Sequence, residues 1–99
     1  FRMIVARGYR AIPEFKVGTH PYRIDIVIEG QHSRLAVECD GDSWHGLDQW
    51  ESDIERQTIL ERVGWKFWRI RGSEFYRNRE KSLQSLWSRL EELKITPML

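Results

Sequence analysis

The chain has 99 residues, 40% hydrophobic and 31% charged, with a net charge of only +1, the profile of a folded domain able to hold one core without disulfides or structural metal. No run approaches the roughly 20 apolar residues of a membrane span, and no signal-peptide pattern opens the chain. The single cysteine, Cys39, excludes an internal disulfide and fits a reducing cytoplasm.

The first residues read as the end of a helix. Phe1, Ile4 and Val5 share a helical face and Gly8 stands where a C-terminal stop belongs. We therefore expect the chain to be a C-terminal fragment of a larger protein. Tyr9 to Phe15 follows as a strand, and Pro13, having no amide donor, puts it at a sheet edge or a bulge. Val17 to Pro21 turns the chain into the strand Tyr22 to Gly30, whose one mid-strand charge is Asp25, flanked by Ile24 and Ile26. A carboxylate inside an apolar run needs a partner. Gly30 to Ser33 turns again into Leu35 to Asp40, so short turns join successive strands in an antiparallel meander.

In that third strand Glu38 and Asp40 project to one side, with carboxylates on the order of 7 Å apart along the axis. Cys39 should face the other way, into the core. Taken alone, Glu38 and Asp40 read as a solvated pair at an edge, with Gly41-Asp42 an ordinary turn. Asp25 on the preceding strand changes this, because carboxylates on neighbouring strands form the oxygen-rich set that Mg²⁺ prefers. His20 and His32 fall in turns with no ligand at metal-binding spacing, and read as exposed spectators.

Acidic residues continue from Asp42 to Glu55, where negative charge suits a helix N-terminus. The helix is expected from Trp50 to Val63, burying Trp50, Ile54, Gln57 or Thr58, and the edges of Glu61 or Val63, with Leu60 on the same broad stripe, and ending at Gly64. Asp53 and Arg56 lie on one face, the plain reading being a surface ion pair. Trp65 to Ile70 is the next strand, parallel to the Glu38 strand through a crossover. After Arg71 and Gly72, Asn78 or Ser73 can cap a last helix whose Leu83, Leu86, Trp87, Leu90 and Leu93 pack on the sheet. The fold class is α/β, a mixed sheet of an antiparallel meander plus one parallel strand, flanked by helices.

Basic residues bracket the acidic centre, with Arg2 to Arg23 before it and Lys66 to Lys81 after it. Cations that hold phosphates around carboxylates that hold a metal are what phosphodiester hydrolysis requires. Among the clustered basic residues of the second half, Arg69 and Arg71 are candidates for phosphate contacts, and Trp44 suits either base stacking or core packing.

The order Asp25, Val37-Glu38-Cys39-Asp40-Gly41, Trp44-His45-Gly46, Asp53-Ile54-Glu55-Arg56, Leu60, Gly64-Trp65 and Arg69 resembles the PD-(D/E)XK nuclease core of restriction endonucleases. It is most similar to the branch of the very-short-patch-repair (Vsr) endonucleases and the Vsr-like modules at the ends of some superfamily 1 helicases. The resemblance spans Gly8 to Leu93. It implies a restriction-endonuclease-like fold and a DNA endonuclease dependent on Mg²⁺ or Mn²⁺, with Asp25, Glu38 and the Cys39 carbonyl on the metal. Arg56 would then turn toward the acidic centre or the DNA backbone. Asp40 stands where the superfamily usually has Lys, which leaves the water-activating role to another group, and the resemblance offers His45. The implied partners are DNA, other domains of the parent chain and a superfamily 1 helicase, with no membrane. The alternative that Asp40 favours is a silent nuclease-fold module that binds DNA or docks a helicase.

Overall fold

A computed structural model describes residues 1–17, 23–40 and 46–97, apart from the side chains of Asp40 and of residues 46–53. The turn containing His20 and the segment containing Trp44 and His45 lie outside the described residues. The elements run α1 (Arg2–Ala6), β1 (Arg10–Lys16), β2 (Arg23–Glu29), β3 (Arg34–Asp40), α2 (Gly46–Arg62), β4 (Lys66–Arg71), α3 (Gly72–Arg77) and α4 (Arg79–Glu92). The sheet order is β1-β2-β3-β4, antiparallel through the first three strands and parallel between β3 and β4. This is the expected mixed α/β sheet. Pro13 lies on the edge strand β1, where its missing amide leaves no ladder bond unmade in the middle of the sheet.

Each face of the sheet has its own core. On one, Ile26, Ile28, Leu35 and Val37 pack with Ile4 of α1, Leu86 and Leu90 of α4, and Ile95. The Trp68 indole N–H donates to Ser85 Oγ at 3.2 Å and ties β4 to α4. On the other, Ile24, Val27, Ala36, Trp65 and Phe67 pack with Phe15 and with Leu60 of α2. The Arg34 guanidinium lies over Trp65, 3.8 Å from the ring centroid, and shields that core with a cation–π contact.

Three sequence expectations need correction. Helix α2 starts at Gly46, not Trp50, and it does not bury Ile54, which is exposed with Ile59 and Val63. Among its described side chains, Leu60 packs on the sheet core and Gln57 bonds Arg69 of β4. The last helix is divided: Ser73 lies inside α3, and Asn78 precedes α4 without a side-chain capping bond. Finally Cys39 is exposed, while Glu38 is the buried member of the pair at 6%. Val37 is the last β3 residue on its face that the α4 core covers, whereas Glu38 shares the face of Ala36, over which α2 packs.

Gly64 ends α2 in the left-handed region, φ +102°. Its amide donates to Glu61 O and the Trp65 amide to Leu60 O, both at 3.1 Å. This is the doubly bonded C-terminal turn in which the residue after the glycine packs back on the last helical turn, here Trp65 on the core that Leu60 joins. The same turn therefore ends the crossover helix and starts β4 beside β3.

Candidate active site

The β2–β3 ladder pairs Glu29 with Arg34, Ile28 with Leu35, Val27 with Ala36 and Ile26 with Val37, and goes no further. Antiparallel strands exchange bonds at every second pair, so the next β3 amide directed toward β2 is that of Cys39. That amide donates instead to the Asp25 carboxylate, Oδ2, at 2.9 Å. A side chain has taken the place of a backbone acceptor. Extending the register one step puts Asp25 opposite Glu38, and β4 puts Arg69 beside Glu38 and Arg71 beside Asp40.

The same row marks a slip in the sheet. Ile26 and Ile28 pack in the α4-side core, yet Ile24 packs with Val27 in the other, so face alternation is lost at Asp25. On β1, Ala11 packs on the first core and Phe15 on the second, and between them Glu14 has φ +47°. Strict alternation would place Ala11 and Phe15 on one face. Two neighbouring strands thus change face at adjacent positions, which frees Asp25 from the regular pleat. Bulged and strained strand positions commonly re-aim a side chain in this way. Glu14 is exposed, and its Oε2 lies 4.0 Å from Arg23 Nη1.

Of the other expected site residues, Arg69 is half-buried, and its Nη1 donates to Gln57 Oε1 of α2 at 2.7 Å. Arg71 is exposed at the end of β4, and Arg56 is half-buried on α2. The structure thus brings Asp25, Glu38, Cys39, Arg69 and Arg71 to one end of the sheet. Trp44 and His45 fall outside the described residues, as does the Asp40 side chain. Among the described residues no group of three His, Cys, Asp or Glu side chains gathers closely enough for a metal. A groove of about 370 Å³ lined by His32, Arg34 and Lys66 lies at the opposite end of the sheet, remote from these carboxylates.

A model of the restriction-endonuclease-like family REase_MTES_1575 matches residues 1–90. The chain belongs to that family. No curated protein and no solved structure matches it significantly. The match covers every strand and all the candidate residues, and the four-stranded mixed sheet agrees with a restriction-endonuclease-like fold. The family supports a nuclease domain. Among the described residues no helix is long and apolar enough to cross a membrane.

Two residues with a part in this end of the domain were not evident in the sequence. Gln57 reads as an alternative to Thr58 on the buried stripe of the helix, and only the structure pairs it with Arg69. Glu14 reads as a solvated strand residue, although Pro13 beside it was a signal of irregular backbone.

Proposed function

We propose that this domain is a metal-dependent DNA endonuclease acting as a module of a DNA repair, restriction or helicase-type protein. The observation that supports it best is the Asp25 carboxylate held by the Cys39 amide in line with buried Glu38. The two carboxylates gather negative charge at one strand end, which an opposite charge relieves. Their oxygens suit a hard cation such as Mg²⁺ or Mn²⁺. Asp25, Glu38 and the Cys39 carbonyl would hold it. When bound, such an ion polarises the scissile phosphate and lowers the pKa of a water.

The protein's own groups then have separate tasks. The amide bond restrains Asp25, and Gln57 restrains Arg69 beside Glu38, so the charges are set before DNA arrives. Arg71 and Arg56 contact the DNA backbone, Trp44 packs on bases, and Asp40 completes the acidic strand end. His45 moves the proton in place of the superfamily's Lys. The finer reading is a Vsr-like module working in the cytoplasm, with other domains of the parent chain and a superfamily 1 helicase as partners.

Asp40 at the usual Lys position favours a second reading, a silent module that binds DNA or docks a helicase. Plasmid nicking under an Mg²⁺ or Mn²⁺ titration tests the first. Metal-dependent nicking by the native chain, abolished in Glu38→Gln, supports the nuclease. Binding without nicking at any metal concentration supports the silent module.

A further inference from the structure

Strand β4 ends at Arg71, in register with Asp40 of the parallel strand β3, and α3 begins at the next residue, Gly72. Parallel strands point their C-terminal ends the same way, so α3 leaves the sheet at the end that carries Glu38 and Asp40. Helix α3 buries none of its residues. One of its exposed side chains is Tyr76, an aromatic ring left 77% exposed.

A single exposed aromatic is ordinary on a protein surface. The surroundings of Tyr76 are less so. Phe75 meets it edge-on, with centroids 5.8 Å apart and planes at 72°. The Arg79 guanidinium lies over Phe75, 5.5 Å from that ring's centroid. Half-buried Phe75, held by Arg79, therefore steadies a neighbouring ring that stands in solvent. The stretch of chain that carries it, from Arg71 to Lys81, holds Arg71, Arg77, Arg79 and Lys81, all exposed, against exposed Glu74 and Glu80. A braced aromatic face among excess cations is how proteins hold single strands: the ring stacks on a base of any sequence while the cations follow the phosphates.

We infer that Tyr76 is a stacking platform for an unpaired base, and that the substrate of this domain carries a single-stranded DNA segment running over α3 beside the cleavage site. Paired bases keep their faces stacked on one another and offer no such surface, so the contact selects unpaired DNA. The inference rests on the nuclease reading for its placement beside a cleavage site, but the binding it describes needs neither metal nor turnover.

The test is therefore binding in EDTA. Fluorescence anisotropy of the intact chain with labelled oligothymidine and with a blunt duplex of equal length compares the native residue with Tyr76→Ala and Tyr76→Phe. Removing the ring from beneath one base in Tyr76→Ala should weaken oligothymidine binding by roughly 5- to 150-fold. Tyr76→Phe should keep the native affinity, and duplex binding should change in neither variant. Equal weakening on both DNAs, no change on either, or weakening in Tyr76→Phe as well would overturn the platform. A chain that binds no oligothymidine would overturn it too. Failure of the nuclease reading looks different: no metal-dependent nicking of any DNA, with the anisotropy pattern unaffected.

Discussion

The two ends of the β2–β3 pair obey opposite rules. At the turn, the ladder is regular, the Gly30 amide donates to Ser33 O at 2.7 Å, and Ile95 closes on Gly30 so tightly that a Cβ there would sit 3.0 Å from its Cγ1. At the other end the ladder stops early, alternation slips, and a carboxylate occupies the place of a backbone acceptor. One end is built for packing. The other gives up regular pairing and sets acidic groups beside cationic ones, a concession that sheets make where a site must be held.

The largest expected effect comes from breaking the irregular end. Asp25→Asn keeps a carbonyl oxygen that can accept the Cys39 amide, but removes a negative charge from a row that also holds Glu14 and Glu38. If the row exists to hold a cation, cleavage falls to background while the apo melting temperature holds or rises. Added Mg²⁺ raises the native melting temperature by mass action and leaves the variant unmoved. An early-melting Asp25→Asn that still responds to Mg²⁺ would show the row to be architecture instead. Asp25→Ala separates the two roles of the residue, since it loses both the charge and the acceptor.

The arginines sharpen the same contrast within that end. Arg71 is exposed, so Arg71→Ala should leave stability alone and lower the salt slope of DNA binding by about one unit, the share of a single neutralised phosphate. Arg69 holds α2 through Gln57, so Arg69→Ala should cost about 1–3 kcal/mol in urea unfolding. Equal destabilisation of the two variants would mean that both arginines are structural.

Much of the comparison could be read from the sequence. Asp25 was visible as the one charge between isoleucines, Pro13 marked the edge strand, and the Leu83-to-Leu93 spacing marked the helix that covers the α4-side core. The slip was not visible. Strand reading assumes unbroken alternation, which predicts one face for Ile24, Ile26 and Ile28, and it does not show where a core ends, which is why Cys39 reads as buried. Only contacts from other elements reveal that Ile24 has changed sides and that the core under Val37 ends before Cys39. Ile54 fails for a related reason, since periodicity describes a helix's stripe but not how far along it the sheet reaches. The Trp44-His45 expectation falls on residues outside those described, so it stands as a proposal.

At the packed end the effects are purely on stability. Gly30→Ala forces its Cβ against Ile95 and the Ser33 carbonyl, at 3.0 and 3.1 Å. Ile95 is almost fully buried and cannot easily withdraw. The cost should be about 1–3 kcal/mol, that of overpacking a filled site. Cleavage measured below the melting transition should be unchanged, and a fall in turnover there would mean that the two ends are coupled through β2 and β3.

The smallest effect lies beside it, at Lys94. Helices α1, α2 and α4 end in the same doubly bonded turn, with Gly8 and Gly64 in the left-handed position of the first two. In α4 that position is Lys94, φ +59°, whose amide donates to Glu91 O while that of Ile95 donates to Leu90 O. A side chain in that conformation costs about 1–2 kcal/mol, because its Cβ crowds the following carbonyl. Lys94→Gly removes that crowding but frees the unfolded chain by about 0.4–1 kcal/mol. The mid-range difference is a net gain of about 0.8 kcal/mol, or about 3–6 °C in Tm for a domain of this size. The gain requires only that the turn itself be sound, since Ile95 must still close on Gly30. A lower melting temperature in Lys94→Gly would mean that the lysine side chain supports the packed end in a way its backbone strain conceals.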